Sequence, residues 1–367
     1  MKIAILGTRG IPNNYGGFEQ NAENLSRKWV EMGHKVSVYV PIEHPFKGDT
    51  WYGVKLIRIF SREDKLGIWG TFIYDFLCLL DATRKDYDIV LELGYSPNSL
   101  FYFLKPLLSG KLITFMDGLE WKRAKWNGLL KLVLKVSELL AVKFSDLVVA
   151  DNEGIKKYYE KKFGISPPTF PHGADIFSNP DRQYLRSYNL RKFSYYMLVA
   201  RFEPENNLDM ILEGYLKSGS KNPFIVVGNP GTRHGKYLLK KYGKVENIRF
   251  VGAIYDQNKL SSLRWFSKIY FHGHSVGGTN PSLLEAMASG AFIAAHDNPF
   301  NRNVVGEDAV YFKNSDDVAE IIKNEDNLLK KKEQFIENNR RKIREIYNWD
   351  KIARRYIELF EELLKNK

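Results

Sequence analysis

The chain has 367 residues, of which 44% are hydrophobic and 27% are charged, and its formal net charge is +12. This length exceeds one ordinary hydrophobic core and predicts two domains, and the composition excludes a disordered chain. The single cysteine, Cys78, excludes an intrachain disulfide and a cysteine-rich metal site, which favours a reducing, cytoplasmic location. We expect no export signal. The sequence has no uninterrupted apolar stretch of about 18 residues, so we expect no segment to span a membrane.

Apolar, β-branched runs alternate with helical patterns, first from KIAILG and KVSVYV and again from YYMLVAR and PFIVVGN. This alternation is typical of parallel sheets covered by helices. Between the two series, the segment from PPTFPHG onward is rich in Pro, Asn and Ser, which marks a domain junction. We therefore predict an α/β chain with two Rossmann-like doubly wound domains, over 1–180 and 190–345, facing each other across a cleft.

A long loop, GTRGIPNNYGG, follows the first predicted strand and leads into a helix that ends near Gly33. It has neither the spacing nor the shortness of a nicotinamide-binding G-x-G-x-x-G turn, which removes most support for a dehydrogenase. Gly16 and Gly17 would let backbone amides approach a phosphate at the start of this helix. The alternative is that both glycines serve only the geometry of the turn.

A second loop and helix are predicted in HGHSVGGTNPSLLEAMASG. Gly277 and Gly278 form the turn, Asn280 is the N-cap, and Pro281 suits the first helical position. Gly290 ends the helix.

This second helix start carries a concentrated set of hydrogen-bond donors. Its backbone amides, with the hydroxyls of Thr279 and Ser282, would bind a diphosphate. Glu285 falls one turn further on, where its carboxylate can accept hydrogen bonds from a ribose diol. The alternative is a capping box between Ser282 and Glu285, against which Pro281 argues. The predicted donor-binding residues of this stretch are Gly278, Thr279, Asn280, Ser282 and Glu285.

Four stretches carry a family resemblance: GTRGIPNNYGGFE, DGLEWKRAKW, ARFEPENN and HGHSVGGTNPSLLEAM. Together they resemble the nucleotide-sugar-dependent glycosyltransferases of the GT-B fold, in the retaining family 4. Within it, they look like the branch that includes bacterial rhamnosyltransferases of capsule and polysaccharide synthesis. The resemblance covers essentially the whole chain. It implies an acceptor-side domain over 1–180, a nucleotide-sugar domain over 190–345, and C-terminal helices.

The resemblance assigns roles to individual residues. Glu285 matches the helical glutamate that holds the donor ribose, whereas the family's preceding glutamate falls on Gly277. Arg201 matches one of two cations that grip the donor diphosphate, and the second cation's position is Asn206. Alternatively, Arg201 is a surface arginine at the end of a strand. The candidate substitutes for the missing cation are Arg233, Lys236 and Arg302.

Asp117, in FMDGLEWKRAKW, stands where many relatives carry a histidine that faces the reacting sugar. Its carboxylate would accept hydrogen bonds from sugar hydroxyls or act as a general base. Alternatively, it is only the first residue of an Asp-Gly turn. The predicted catalytic residues are therefore Asp117, Arg201 and Glu285.

The resemblance implies transfer of a sugar with retention of anomeric configuration, the donor phosphate taking the acceptor proton. It points to L-rhamnose from dTDP-rhamnose and to a saccharide acceptor linked to a polyprenyl lipid. The alternatives are a UDP-hexose or UDP-N-acetylhexosamine donor, a sugar-nucleotide epimerase, or a binding subunit without catalysis. No Asp-x-Asp motif follows a predicted strand, so we expect no cofactor and no essential metal.

The segment KWNGLLKLVLKVSELLAVKFSD predicts a basic, apolar helix with Lys131, Lys135 and Lys143. Such a helix would suit peripheral contact with an anionic membrane surface, which would place the protein at the inner face of the cell membrane. Alternatively, it is an ordinary covering helix with solvated lysines. Positive charge is dispersed among acids along the chain, so we expect no nucleic-acid partner.

The tail from about Asp316 carries a charged helical pattern. Its apolar residues recur at helical spacing: Trp349, Ile352, Tyr356, Leu359 and Leu363. We predict a helix over 346–367 that packs one face against the body of the protein.

Overall fold

The computed structural model describes residues 1–14, 16–122 and 128–365. The chain forms two compact units. The first comprises Met1–His172 together with Trp349–Lys367, and the second comprises Gly173–Asn348. Of the motifs quoted above, Tyr15 and residues 123–127 lie outside the described part of the chain, as do residues 366 and 367 of the predicted C-terminal helix.

The first unit is built on a seven-stranded sheet in the order β3-β4-β2-β1-β5-β6-β7. All neighbours pair in parallel except β3, which is antiparallel to β4. The strands are β1 (Lys2–Leu6), β2 (Lys35–Pro41), β3 (Thr50–Trp51), β4 (Val54–Ile59), β5 (Ile89–Leu93), β6 (Lys111–Met116) and β7 (Leu147–Ala150). The α-helices between them are α1 (Gly17–Glu31), α2 (Glu63–Leu66), α3 (Ile68–Ala82), α4 (Gly128–Phe144) and α5 (Glu153–Phe163). A 3-10 helix spans Asn98–Leu107.

The second unit has a parallel six-stranded sheet in the order β10-β9-β8-β11-β12-β13. The strands are β8 (Tyr196–Val199), β9 (Phe224–Val227), β10 (Ile248–Phe250), β11 (Ile269–His272), β12 (Ile293–His296) and β13 (Val310–Phe312). The helices are α6 (Gln183–Arg186), α7 (Leu208–Ser218), α8 (Arg233–Tyr242), α9 (Gln257–Phe266), α10 (Pro281–Ala288), α11 (Pro299–Val305), α12 (Ser315–Lys323), α13 (Glu325–Leu328) and α14 (Lys332–Glu345). The predicted pair of Rossmann-like α/β domains is confirmed.

Both sheets are buried on both faces, which explains why their strands are nearly continuous apolar runs. In β1, Ile3 and Ile5 belong to one buried cluster while Ala4 and Leu6 belong to another. In β8, Met197 packs on one face and its neighbours in sequence pack on the other. The period of two residues sends successive side chains to opposite layers of helices.

The last helix, α15 (Trp349–Lys365), returns to the first unit and packs on α1. Its buried side chains include Trp349, Ile352 and Tyr356. The Trp29 indole donates a hydrogen bond to the Ala353 carbonyl at 3.1 Å, and the Phe170 ring stacks on Tyr356 with centroids 4.0 Å apart. The chain therefore crosses from the first unit to the second and back.

Strand order fixes where each sheet can bind a ligand. With β3 set aside, both sheets follow the order 3-2-1-4-5-6, in which loops diverge between the first and fourth strands. In the second unit these strands are β8 and β11, and in the first unit they are β1 and β5. Among the residues that the structure describes, no helix combines the length and apolar character needed to cross a membrane.

Candidate functional site

Two loops of the second unit meet at its switch point, after β8 and after β11. The backbone N–H and the hydroxyl of Ser275 both donate to the Glu205 carbonyl, at 3.0 and 2.8 Å. The Asn207 side chain donates to the Gly273 carbonyl at 2.8 Å. These bonds hold the two loops at a fixed separation.

The loop after β11 is also held closely on both sides. A Cβ atom at Gly273 would lie 2.1 Å from the Asn206 carbonyl oxygen, so this approach requires glycine. On the other side, Asn298 and Asn301 each donate a side-chain N–H to the His274 carbonyl at 3.0 Å. A loop with this many fixed backbone groups is organised before a ligand arrives.

Arg201 and Asn206 lie in the loop after β8. Arg201 is exposed just beyond the end of the strand, where its guanidinium is available to an anion. Asn206 is 5% exposed, and its amide donates to the Arg201 carbonyl at 2.7 Å. The asparagine that replaces the family's second cation is therefore engaged within the loop and holds the backbone of Arg201.

The three candidate substitutes for that cation differ in their surroundings. Thr232 caps α8 and donates its hydroxyl to the Phe202 carbonyl at 2.5 Å, which brings Arg233 to the Arg201 loop. Lys236 lies one turn further along α8 and is exposed. Arg302 instead pairs with Asp297 at 2.5 Å. Arg233 is therefore the best placed of the three.

Helix α10 begins at Pro281 with Asn280 as its N-cap, and Gly290 follows its end with a φ of +69°. Its predicted start and stop are therefore confirmed. The Asn280 side chain makes no capping hydrogen bond, and the first turn of the helix contains no acidic residue. Because Asn280 is the cap, the alternative of a capping box between Ser282 and Glu285 is wrong.

The turn before α10 explains the missing glutamate of the family pattern. Gly277 has a φ of +120°, a conformation that side chains other than glycine rarely adopt. Thr279 is 4% exposed and Gly278 is half-buried beside it. A glutamate at position 277 would be strained in this loop. The chain therefore departs from the family pattern in its backbone conformation as well as in its side chain.

Glu285 forms an ion pair that the sequence does not predict. Its Oε2 atom lies 2.7 Å from an Nη atom of Arg264, at the end of α9. The Arg264 side chain is completely buried, whereas Glu285 is 17% exposed. The Arg264 guanidinium also lies over the Tyr270 ring, at 5.8 Å, and the Tyr270 hydroxyl donates to the Ser282 carbonyl at 3.3 Å. Glu285 is thus the counter-ion of a buried arginine.

Two histidines stack beneath this loop. The rings of His272 and His274 lie 4.3 Å apart and are nearly parallel. Burial is the main reason that the pKa of His272 falls well below its usual value, and His274, Arg264 and His296 lower this pKa further. His272 is therefore neutral at physiological pH, and among the residues that the structure describes neither of its ring nitrogens has a hydrogen-bond partner.

In the first unit, the start of α1 holds a carboxylate. Glu19 accepts the backbone N–H of Arg9 at 2.6 Å, and the N–H groups of Gly16 and of Glu19 itself also donate to it. Gly16 is the extended N-cap and Gly17 is the first helical residue. Because Glu19 covers these donors, the geometry favours the turn interpretation of Gly16 and Gly17 over a phosphate site.

Asp117 follows β6 and is half-buried. It lies close enough to Tyr95 to raise the pKa of that phenol, after burial, which is the larger cause. The Tyr95 hydroxyl accepts the backbone N–H of Glu120 at 3.1 Å. This contact ties the loop of Asp117 to the loop after β5, at the switch point of the first sheet.

Comparison with protein families separates the two halves of the chain. Residues 183–344 match the family model described as Glycosyl transferases group 1. This stretch covers most of the second unit. Residues 1–174 match the model described as Domain of unknown function (DUF1972). No curated protein matches the chain.

Solved structures share the fold of both units. Sucrose-phosphate synthase from Thermosynechococcus elongatus is 14% identical, with a TM-score of 0.80 and full coverage of both chains. Anabaena HepE, solved with UDP and glucose, is 15% identical over 99% of this chain and 100% of its own, with a TM-score of 0.75. WaaG, a glycosyltransferase involved in lipopolysaccharide biosynthesis, is 14% identical over 96% of this chain and 98% of its own, with a TM-score of 0.70. The fold is therefore GT-B, and the match of residues 183–344 to the group 1 model supports a glycosyltransferase.

The second unit brings Arg201, Asn206 and Thr279 to the two loops at its switch point, and Glu285 to the helix that follows the second loop. Sequence reasoning missed Arg264, because one arginine in NKLSSLRWFS is indistinguishable from a surface arginine. It also missed the stacked histidines, although HGHS at a strand end was a usable signal. Across the described ranges 1–14, 16–122 and 128–365, no cluster of three or more His, Cys, Asp or Glu could hold a metal ion.

Proposed function

We propose that the protein transfers a sugar from a nucleoside-diphosphate sugar to a saccharide acceptor, with the donor bound by the second unit. The observation that carries this proposal is Glu285, a partly exposed carboxylate fixed by buried Arg264 one turn inside a helix start without acidic residues. A fixed carboxylate suits a ribose diol, and the start of α10 suits the diphosphate. Arg201 and Arg233 would complete the phosphate contacts.

The proposed reaction proceeds with retention of anomeric configuration. The acceptor oxygen forms a bond to the anomeric carbon on the face that the diphosphate leaves, and the bond from that carbon to the phosphate oxygen breaks. The acceptor proton passes to a phosphate oxygen, so no side-chain nucleophile is required. Arg201 and the α10 amides would stabilise the charge of the departing diphosphate, and Asp117 would accept hydrogen bonds from sugar hydroxyls. We propose no metal and no cofactor for this step, and activity in EDTA tests that part.

For the donor we propose dTDP-L-rhamnose. The glycine at position 277 leaves no carboxylate for a sugar hydroxyl there, which suits a deoxy sugar because fewer polar groups need partners. The competing donors are UDP-hexoses and UDP-N-acetylhexosamines, since HepE was solved with UDP and glucose. A panel of nucleotide sugars decides between them.

For the acceptor we propose a lipid-linked saccharide of bacterial polysaccharide synthesis, met at the inner face of the cell membrane. The supporting feature is the outer face of α4, where Leu129, Leu132, Val136 and Leu139 are between 41% and 74% exposed. Lys135 and Lys143 lie on the same exposed face, whereas Glu138 is fully buried. An apolar face with only positive charges suits an anionic lipid surface. Sedimentation with anionic and neutral vesicles tests this contact.

The decisive experiment measures nucleotide release from the donor panel with and without lipid-linked acceptors. Acceptor-dependent release from one donor is the expected result. Conversion of a donor without an acceptor would instead indicate an epimerase. Donor binding without release by any acceptor would favour a binding subunit, and absence of donor binding in calorimetry would overturn the proposal.

A further inference from the structure

Two arginines of the second unit lie on neighbouring elements. Arg201 follows β8, and Arg233 is the first residue of α8, which follows β9. Both side chains are exposed, and among the residues that the structure describes neither guanidinium forms an ion pair. The loop of Arg201 also carries Glu203 and Glu205, but neither carboxylate lies in ion-pair contact with these arginines. Both guanidiniums are therefore available to an anion.

The Thr232 hydroxyl joins these two elements. It donates to the Phe202 carbonyl at 2.5 Å, and it accepts the Gly235 backbone N–H at 2.9 Å as the N-cap of α8. One hydroxyl thus serves as a donor to the loop and as an acceptor for the helix. An ionised aspartate at this cap could accept the helix N–H but could not donate to the loop carbonyl.

The hydrogen bond of Thr232 keeps the two arginines close together. Arg201 directly precedes Phe202 in the sequence, and Arg233 directly follows Thr232. Consecutive Cα atoms are only about 3.8 Å apart, so each arginine begins close to this bond. The Ala200 N–H donates to the Val227 carbonyl at 3.1 Å, so β8 and β9 stay paired up to the start of both loops. Two long side chains that start this close together can contact one diphosphate.

The loop after β8 supplies no second cation of its own. Asn206 stands at the position of the family's second cation, and its amide is used to hold the Arg201 carbonyl at 2.7 Å. The start of α8 carries Arg233 and contains no acidic residue in its first turn. The dipole of α8 also favours an anion at this end of the helix. A second positive charge beside Arg201 is therefore available from α8.

We infer that Thr232 is a positioning residue for the donor diphosphate: its hydroxyl holds Arg233 beside Arg201, so that α8 supplies the second cation. This inference rests on the proposed transferase function and specifies how its donor site recovers the charge that Asn206 does not provide. Thr232 acts through Arg233 and does not itself contact the donor. Its removal should therefore matter only while Arg233 is present.

A double-mutant cycle on the full-length protein tests this coupling, with the affinities for dTDP and UDP measured by calorimetric titration. Thr232→Val keeps the shape of threonine without its hydroxyl, and it should weaken the tighter-binding nucleotide by about 5- to 10-fold. Thr232→Ser keeps the hydroxyl and should bind within about twofold of the native protein. Arg233→Gln should bind about tenfold more weakly, and adding Thr232→Val to it should weaken binding by less than about a further twofold.

Asn314→Ala is the matched control for the loss of a helix cap. Asn314 caps α12 in the same unit by accepting the Asp317 N–H at 2.9 Å. This variant should lose stability in urea, as Thr232→Val does, but should bind the nucleotide with native affinity. The salt dependence of the affinity gives a second readout. Thr232→Val should reduce it as Arg233→Gln does, whereas a purely structural role would leave it unchanged.

Four results would overturn the inference while the native protein still binds the nucleotide. These are native affinity in Thr232→Val, equal losses from Thr232→Val with and without Arg233, failure of Thr232→Ser to keep the affinity, and an equal loss of affinity in Asn314→Ala. If the native protein bound neither nucleotide, the proposed transferase function would be wrong, and the inference with it.

Discussion

The starts of α1 and α10 are similar in sequence and differ in what their amides face. Each follows a strand, and a Gly-Gly pair stands at the start of α1 and before α10, but Glu19 is the third residue of α1 whereas Glu285 is the fifth residue of α10. Glu19 folds back and accepts the N–H groups at the start of its own helix. Glu285 lies beyond the first turn and pairs with Arg264. The glutamate therefore lies two positions further along α10 than along α1. This difference decides whether the carboxylate occupies the amides at the start of its own helix or leaves them to an anion.

The largest effect is expected at the Arg264 pair. Glu285→Leu would leave a completely buried guanidinium without its counter-ion, so the second unit should lose about 3–5 kcal/mol of unfolding free energy. Urea unfolding of the intact chain measures this loss. Arg264→Met combined with Glu285→Leu removes both charges and should recover most of it. A single Glu285→Leu variant as stable as the native protein would contradict the ion pair.

The next effect concerns the phosphate contacts beside α10. Arg201→Gln should weaken the binding of a nucleoside diphosphate by roughly 10- to 100-fold, because a charge-assisted contact is lost. The side chain is exposed, so the unfolding free energy should stay within about 0.5 kcal/mol of the native value. Calorimetric titration measures the affinity, and Arg186→Gln, an exposed arginine at the end of α6, is the matched control. If Arg201→Gln bound the nucleoside diphosphate with unchanged affinity, Arg201 would be a surface arginine only.

A smaller effect tests the closed helix start. Burial is the main cause that raises the pKa of Glu19, although its backbone donors lower it, so the native state keeps this proton to a higher pH than the unfolded chain does. The contribution of Glu19 to stability therefore falls as pH rises from about 4 through its folded pKa. Glu19→Gln does not titrate, so its stability relative to the native protein should rise between pH 4 and 7. If the unfolding free energies of Glu19→Gln and the native protein changed with pH in parallel, the pKa of Glu19 would be the same in the folded and unfolded states.

The smallest effect distinguishes two helix caps. Asn280 makes no side-chain capping bond, so Asn280→Ala should change the unfolding free energy by less than about 0.5 kcal/mol. Asn152 caps α5 by accepting the Ile155 N–H at 3.0 Å, and Asn152→Ala should cost about 1 kcal/mol. Chemical denaturation of both variants gives the comparison. Equal losses would mean that Asn280 also caps its helix.

The fold followed from the sequence because its signals are local. Alternating strands and helices, the Pro281 start and the Gly290 stop each depend on residues close together in the chain. The ion pair could not be predicted from the sequence, because Arg264 and Glu285 meet only after α9, β11 and α10 have packed. The same limit applies to Glu19, whose contact with the Arg9 backbone depends on the path of the long loop. Sequence spacing predicted where the helices start. It could not show which glutamate would accept hydrogen bonds from the backbone amides at the start of its own helix.

The most direct test of the central claim is the affinity of the Arg264→Met and Glu285→Leu double variant for the donor nucleotide sugar. If Glu285 holds the donor, this variant should fold with near-native stability and bind the donor on the order of 100-fold more weakly. If Glu285 serves only as the counter-ion of Arg264, the double variant would bind the donor as tightly as the native protein does. That second result would contradict the account.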